Sequence, residues 1–289
     1  MTDPHPRAGA LVLVATPIGN LGDLSPRAVE ALREADVIAA EDTRRTRGLL
    51  THAGVGGGAR LRSIHAHNER NEARHVVELV RAGKRVVYVS DAGTPGIADP
   101  GERLVAACVE AGLPVEVVPG PSALLAALVL SGLPTSRFRF EGFLPRKGAG
   151  RAERLASIAD ADSTVVLYES PHRVATTLAD LLAALGPERR VAVARELTKV
   201  FEEVARGSLG EVEARLGPSS QSAARGEHVI VIAPAPREAH VDDDALERAI
   251  VDELRNGASA RDAATAVARD LGVPRRRAYD VALRVRATS

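Results

Sequence analysis

Short apolar runs alternate with helix-like segments through the first 130 residues. Residues 11–15 (LVLVA), 37–40, 85–89 and 115–118 are compact apolar runs, which are typical of strands buried inside a sheet. Apolar residues recur at helical spacing between these runs, and helices are predicted over residues 26–36, 74–81, 104–111 and 123–130. This alternation predicts an α/β fold with a mainly parallel sheet and helical crossovers.

The character of the sequence changes between residues 132 and 150, where three phenylalanines and several glycines cluster. A second series of elements follows, with strands predicted at residues 164–168, 190–194 and 228–233, and helices after Pro171 and at residues 209–216. Residues 234–236 (PAP) predict a stiff linker. We therefore expect two α/β lobes, residues 1–132 and 133–236, and a C-terminal domain, residues 237–289.

Three amphipathic helices are predicted in the C-terminal domain. Leu246, Ile250 and Leu254 mark the first, Ser259 opens a second that ends at Gly272, and Pro274 opens the third. A helix, a glycine-bearing turn and a second helix resemble a helix-turn-helix. Residues 255–289 contain eight arginines and three aspartates, so this region is locally basic.

Charge and cysteine content narrow the possible functions. The chain has 38 basic and 38 acidic residues, so any contact with nucleic acid must come from local patches. The single cysteine, Cys108, excludes an intramolecular disulfide and a zinc site built from cysteines. No apolar run resembles a signal peptide or approaches the ~18 residues of a membrane span, so we expect a soluble, cytoplasmic protein.

The loop at residues 90–101 (SDAGTPGIADPG) is the strongest indication of a ligand site. Five of its twelve residues are glycine or proline, which lets the backbone approach a ligand closely, and Asp91 and Asp99 add acceptors for hydroxyl or amino groups. The loop follows a predicted strand, and ligands of such sheets gather at the carboxyl ends of strands. Residues 16–22 lack the Gly-x-Gly-x-x-Gly order and no Walker motif occurs, which disfavours a phosphate-bearing cofactor and nucleotide hydrolysis.

Five motifs in order give the chain a specific resemblance. They are residues 15–25 (ATPIGNLGDLS), 40–44 (AEDTR), 90–101, 118–123 (VPGPSA) and 168–173 (YESPHR). Together they resemble the ribosomal RNA small subunit methyltransferase I family of the tetrapyrrole-methylase superfamily. The resemblance runs from about residue 11 to residue 233 and continues more weakly into the helical tail.

This resemblance implies a two-lobed α/β methylase, usually a homodimer, that holds S-adenosylmethionine in the cleft between its lobes. The implied reaction is methylation of the ribose 2'-hydroxyl of a cytidine in the decoding region of 16S rRNA, in the small ribosomal subunit. The implied cofactor contacts are Pro17, Asp91, Ala92, Gly93, Pro95, Ile97, Ala98, Ser122, Ala123, Tyr168, Glu169 and Ala194.

A base that accepts the hydroxyl proton would speed methyl transfer to a ribose. The candidates are Glu41, Asp42, Glu169 and Glu196, all in polar clusters at predicted strand ends, and we favour Glu169. Arg44, His172 and Arg173 are then expected to contact RNA phosphates. Alternatively, the pairs Glu41 with Arg44 and Arg195 with Glu196 are salt bridges that anchor loops.

Three further groups of residues are candidates for contact with the substrate. His65 and His67 alternate, but no third ligand lies nearby in the sequence, so we expect no metal site. The segment through Asn68 resembles a family motif, and this resemblance implies a substrate-side loop. Arg146 and Lys147 are expected to bind RNA phosphates. Phe138, Phe140 and Phe143 either stack on bases or form one face of a strand packed into the second lobe. Arg275, Arg276 and Arg277 either bind RNA or form a solvated helix start.

Two other functions share some of these features. A corrin or porphyrin-precursor methylase would use the same cofactor loops, although the motifs at residues 40–44 and 168–173 and the basic tail disfavour it. A non-catalytic RNA-binding protein that senses S-adenosylmethionine would combine the helix-turn-helix with a ligand-binding α/β region.

Overall fold

The structure is a computed structural model that describes residues 8–56, 61–217, 226–236 and 242–288. The chain forms two compact units, Met1–Ala233 and Pro234–Ser289. The boundary coincides with the predicted linker. The division of the first unit at residue 132 stays a prediction about lobes within it, and residue 237, where the third domain was predicted to begin, lies outside the described residues.

A five-stranded parallel sheet occupies the first half of the larger unit. Its strands lie in the order β3-β2-β4-β1-β5, with every neighbouring pair parallel. The strands are β1 (Ala10–Val14), β2 (Val37–Ala40), β3 (Leu61–Ser63), β4 (Arg85–Val89) and β5 (Val115–Val118). The predicted parallel sheet is confirmed, and only β3 was missed, because three residues of mixed polarity give no apolar run.

Helices connect the strands of this sheet: α1 (Pro26–Glu34), α2 (Thr43–His52), α3 (Glu69–Arg81), α4 (Glu102–Glu110) and α5 (Ala123–Leu130). The Ser25 hydroxyl caps α1 by accepting from the N–H of Ala28. Sequence pattern did not reveal α2, because its residues are mostly polar and few of them are buried. Asp42 nevertheless gives this helix a cap by accepting from the N–H of Arg44.

The larger unit also contains a second sheet, whose topology differs from that of the first. Its order is β6-β7-β10-β8-β9, with β6 and β7 parallel and the other pairs antiparallel. The strands are β6 (Phe138–Phe143), β7 (Thr164–Glu169), β8 (Arg190–Arg195), β9 (Glu203–Ser208) and β10 (His228–Ile232), and the helices are α6 (Ala149–Ala159), α7 (Val174–Leu185) and α8 (Leu209–Leu216). The central strand, β10, is buried along its whole length.

Helix α5 follows the first sheet in the chain but packs on the second. Its buried residues Ala127 and Leu128 contact Val166 of β7 and Val229 of β10. This helix is apolar on every side, but only one side is buried against the second sheet, since Leu125 and Val129 are exposed. The two halves of the larger unit are therefore joined by a packed helix.

The smaller unit is a bundle of three helices, α9 (Asp243–Arg255), α10 (Ala260–Leu271) and α11 (Arg275–Thr288). Leu246 and Ile250 of α9 pack with Val267 and Val281 in its core. Ser259 caps α10 and Gly272, in the left-handed conformation, ends it. The predicted helices are confirmed. Within the described residues, no helix is long and apolar enough to cross a membrane.

Candidate active site

Three loops at the carboxyl ends of β1, β4 and β5 are tied together by hydrogen bonds. Thr16 and Gly93 exchange two backbone bonds, at 2.9 and 3.0 Å. The hydroxyl of Thr94 donates to the carbonyl of Pro121 at 3.5 Å. Because parallel strands all end at one edge of the sheet, residues that are far apart in the chain build a single surface here.

Asp91 connects this surface to the loop after β2. One carboxylate oxygen accepts from the N–H of Asp42 at 2.9 Å, and the other lies 3.3 Å from the guanidinium of Arg45. Both oxygens of Asp91 are therefore engaged within the protein. The contacts fix the relative positions of the loops after β2 and β4.

The second sheet contributes an aromatic wall. The hydroxyl of Tyr168, near the end of β7, accepts from the N–H of Leu124 at the start of α5, at 3.2 Å. The ring of Phe140 meets the ring of Tyr168 edge to face, with centroids 4.9 Å apart. Burial raises the pKa of Tyr168, so its hydroxyl stays protonated at neutral pH.

A cleft that is open to solvent lies between these loops and the second sheet. Apolar, aromatic and charged side chains alternate around it, as in sites for small organic ligands. Its lining residues are Ile18, Arg45, Asp91, Ala92, Gly93, Thr94, Ile97, Asp99, Ser122, Ala123, Phe143, Tyr168, Glu169, Glu196, Leu197, Lys199, Glu227, His228 and Val229.

His228 lines this cleft and has one ring nitrogen that is available for a hydrogen bond to a ligand. The side chain is buried, and its Nδ1 has no hydrogen-bond partner among the residues that the structure describes. Burial lowers its pKa, so the imidazole is neutral at pH 7 and can accept or donate a hydrogen bond. A buried polar atom without a partner is costly, and a polar ligand in the cleft would satisfy it.

Most of the predicted cofactor contacts meet at the cleft. Asp91, Ala92, Gly93, Ile97, Ser122, Ala123, Tyr168 and Glu169 line it, whereas Pro17, Pro95, Ala98 and Ala194 do not. Ala194 is buried in β8, in the same apolar cluster as Ala127 and Leu128 of α5, whereas Ala98 is exposed. The residues that sequence reasoning missed, such as Leu197, Lys199, Glu227 and His228, belong to segments that reach the cleft only through the antiparallel pairing of the second sheet.

Glu169 is buried in a network that engages both of its oxygens. One accepts from the N–H of Ser170 at 2.9 Å and the other from the hydroxyl of Thr177 at 2.7 Å. Arg173 lies 3.4 Å from the carboxylate, and Arg151 donates to Thr177 at 3.0 Å. This arrangement stabilises the end of β7 against α6 and α7, and each oxygen of the Glu169 carboxylate already accepts a hydrogen bond within the protein.

The other predicted bases differ in their surroundings. Burial, and then the charge of Asp91, raise the pKa of Glu41, but Glu41 is not among the residues that line the cleft. The N–H of Arg44 lowers the pKa of Asp42, which caps α2. Glu196 lines the cleft and pairs with Lys199 at 2.8 Å.

The predicted RNA-contacting residues fall into two groups. Arg146, Lys147, His172, Arg275 and Arg276 are exposed, as is Arg44, which pairs with Asp42 at 3.5 Å. The others make contacts within the protein: Arg173 donates to the carbonyl of Leu144 at 2.7 Å, and Arg277 pairs with Asp243 at 2.7 Å. The Asn68 amide is similarly used, since it accepts from the N–H of His65 and donates to the carbonyl of Ser63.

Two further candidates can be placed in the structure. The rings of His65 and His67 lie 5.9 Å apart, and the described part of the chain contains no group of three or more His, Cys, Asp or Glu side chains that could hold a metal ion. Phe138, Phe140 and Phe143 all belong to β6, where a bulge after Phe140 shifts the register. The three do not form one buried face, since Phe138 and Phe143 are exposed.

Comparison with known proteins first identifies the class. The chain matches the family described as Tetrapyrrole (Corrin/Porphyrin) Methylases over residues 10–213. The methyltransferase CobJ has the same fold, with a TM-score of 0.58 at 22% identity over 79% of this chain and 95% of that chain. A uroporphyrin-III C-methyl transferase from Thermus thermophilus, complexed with S-adenyl homocysteine, has a TM-score of 0.53 at 24% identity, over 77% of this chain and 96% of that chain. The fold is thus that of the tetrapyrrole methylases.

Relatives with higher identity narrow this class. A ribosomal RNA small subunit methyltransferase I from Synechocystis sp. is 45% identical over 96% of this chain and 99% of its own length. Another from Mycobacterium tuberculosis is 44% identical over 96% of each chain. The chain belongs to the ribosomal RNA small subunit methyltransferase I family. Membership confirms the expected class of cofactor, S-adenosylmethionine.

Proposed function

We propose that the protein transfers a methyl group from S-adenosylmethionine to the ribose 2'-hydroxyl of a cytidine in the decoding region of 16S rRNA. The observation that carries this proposal is the match to ribosomal RNA methyltransferases along nearly the whole chain, both units included. A methylase of small tetrapyrroles would have no evident use for the separate helical unit with its exposed arginines.

The cleft suits the cofactor in its chemistry. Tyr168 offers an aromatic face, Ser122 a hydroxyl, and His228 a buried nitrogen without a partner among the described residues. The left-handed φ of Gly93 (80°) lets the loop after β4 pass close to a ligand without a side chain in between. When bound, S-adenosylmethionine supplies an electrophilic methyl group on a sulfonium. The protein holds the ribose oxygen in line with that methyl, and such positioning supplies a large part of the rate enhancement.

Exposed cations provide the expected contacts with RNA. Arg44 follows β2, beside Arg45 at the cleft, while Arg146, Lys147 and His172 are exposed on segments after β6 and β7. We assign phosphate contacts to these residues and to Arg275 and Arg276. The chain carries no net charge, so such local groups must supply the attraction to RNA.

Labelled methyl transfer tests this function directly. Small ribosomal subunits and naked 16S rRNA from cells that lack the protein would be incubated with the protein and labelled S-adenosylmethionine, and the label mapped by nuclease digestion. We expect label on one cytidine ribose in the decoding region. Label on a base, or only on added uroporphyrinogen-type acceptors, would contradict the proposal. Cofactor binding without transfer to any acceptor would indicate a sensor.

We predict that Arg275→Ala combined with Arg276→Ala weakens RNA binding without changing cofactor affinity. Each lost phosphate contact lowers the salt dependence of binding, so the slope of log K against log salt should fall by about 2. Filter binding at several salt concentrations would measure it. The matched control, Arg248→Ala with Arg261→Ala, removes the same charge from exposed sites in the same unit. Equal slopes for both double variants would refute a specific role for α11.

The homodimer implied by the resemblance stays a prediction. The larger unit does expose apolar side chains on β5 and α5, among them Val117, Leu125 and Val129. Exposed apolar surface of this kind is typical of protein interfaces.

A further inference from the structure

One carboxylate of the cleft, Asp99, forms no ion pair with a described residue, whereas most of the others are engaged. Asp91 is engaged by Asp42 and Arg45, Glu169 by its buried network, and Glu196 by Lys199. Glu227 is exposed. Asp99 lines the cleft, is only partly exposed, and forms no ion pair with a basic side chain of the described residues.

The backbone around Asp99 is held in an uncommon conformation. Ala98, a residue with a side chain, has a φ of +63°, and the N–H of Gly96 donates to the carbonyl of Pro100 at 3.1 Å, closing a tight turn. Gly101 has a φ of +136°, and a Cβ there would lie 3.1 Å from both the Gly96 nitrogen and a ring carbon of Tyr88. Conformations of this kind persist where the surroundings enforce them, often at functional sites.

Glu69 anchors this turn from another helix. Its carboxylate, on α3 and buried, accepts from the N–H of Gly101 at 2.8 Å and from the N–H of Arg103 at 3.0 Å. These bonds satisfy the first free N–H groups of α4. Asp99 is thus fixed between a closed turn and an anchored helix start, which is the rigidity that a proton acceptor requires.

We infer that Asp99 is the catalytic base that accepts the proton of the substrate hydroxyl. This inference rests on the proposed ribose methylation. The new carbon–oxygen bond forms as the carbon–sulfur bond of the donor breaks, and the sulfur keeps the electron pair. The hydroxyl proton passes to the Asp99 carboxylate, so that charge and atoms balance.

The charge environment of Asp99 suits this role. Burial, followed by the negative charges of Glu41, Glu227 and Asp91, raises its pKa to about 7, and only a hydrogen bond with Ser90 opposes the shift. Tyr88 and Tyr168, the titratable side chains that face it from β4 and β7, have raised pKa values and stay neutral. A carboxylate with a pKa near the working pH is a far better base than an ordinary aspartate.

Asp99→Asn tests the assignment, with single-turnover methylation of small subunits measured from pH 5.5 to pH 9. Because the ionised form is the active one, the wild-type rate should fall about tenfold per pH unit below pH 7 and level off above it. The variant should be ~100-fold slower at pH 8 and independent of pH over this range. Glu227→Gln removes one of the charges that raise the pKa of Asp99. The pH profile of this variant should therefore be shifted to lower pH than that of the wild type.

Two readouts apart from activity separate a base from a cofactor ligand. S-adenosylmethionine affinity, measured by calorimetry, should change less than about threefold in Asp99→Asn, well short of the loss expected for a deleted charged contact. The thermal midpoint of Asp99→Asn at pH 8 should be higher than that of the wild type. The pKa of Asp99 is raised in the folded protein, so the ionised carboxylate destabilises the folded state at this pH, and the neutral amide removes that cost. Glu110→Gln, an exposed carboxylate at the end of α4, is the control for loss of charge.

The outcomes distinguish the inference from the proposed function. A wild-type rate and pH profile in Asp99→Asn would overturn the base assignment alone, since ribose methylation would persist. Weakened cofactor binding with a normal rate at saturating cofactor would make Asp99 a cofactor contact instead. If the wild-type protein labels no ribose, the proposed function fails, and the role of Asp99 fails with it.

Discussion

Replacing Glu169 with alanine is expected to lower the free energy of unfolding by about 3 kcal/mol, because it deletes one centre of a buried charged network. The hydroxyl of Thr177, the N–H of Ser170 and the nearby guanidinium of Arg173 would all lose an acceptor. Urea denaturation monitored by circular dichroism would measure the change.

Two companion variants make this result specific. Glu153→Ala removes an exposed carboxylate from neighbouring α6, and its effect should stay within about 0.5 kcal/mol. Glu169→Gln keeps the size of the side chain and one acceptor oxygen, so it should be less destabilised than Glu169→Ala. Wild-type stability in Glu169→Ala together with complete loss of methylation would contradict the structural role and restore Glu169 as a catalytic base.

Gly93→Val should reduce S-adenosylmethionine affinity about 100-fold, equivalent to about 2.7 kcal/mol. Gly93 lies in the wall of the cleft with a φ of +80°, and a Cβ there would lie 3.4 Å from the side chain of Ile18. The outer methyl groups of valine must therefore enter the cleft or displace Ile18. Calorimetric titration with S-adenosylmethionine would give the affinity.

Gly112→Val separates occlusion of the cleft from backbone strain. Gly112, at the end of α4, has a φ of +66°, but a Cβ there would meet nothing within 4 Å. Both variants should lose stability by roughly 1–2 kcal/mol for placing a branched residue in the left-handed region. Only Gly93→Val should lose cofactor affinity, and equal affinities would exclude the loop after β4 from the cofactor site.

Local pattern was sufficient to predict most of the fold. The strands at residues 37–40, 85–89 and 115–118 and the helix at residues 123–130 have the predicted bounds, because apolar runs and their glycine and proline boundaries are local features. Helix α2 and strand β9 were missed. Both are mostly polar and half-exposed, and they depend on a cap or on pairing with a neighbouring strand rather than on their own apolar residues.

The site was predictable only in part, for a physical reason. Motif residues such as Asp91, Ser122 and Tyr168 lie on loops that follow recognisable strands, and they reach the cleft together. Glu169 carries the same motif signal, yet its exposure of 1% and its bonds to Ser170 and Thr177 depend on α7 packing against β7. A sequence gives the identity of a carboxylate, but its burial and partners come from tertiary packing.

Helix α5 bears on how the larger unit folds. Its sequence lies between the two sheets, and its buried residues complete the core of the second sheet, while the turn before it contributes Ser122 to the cleft. In a fragment that ends near residue 132, the apolar helix α5 would lack the second sheet against which it packs. In a fragment that begins there, the second sheet would lack α5, and the side chains that α5 buries would be exposed. We therefore expect that neither half of the larger unit assembles its share of the cleft alone, so that cofactor binding requires both halves folded together.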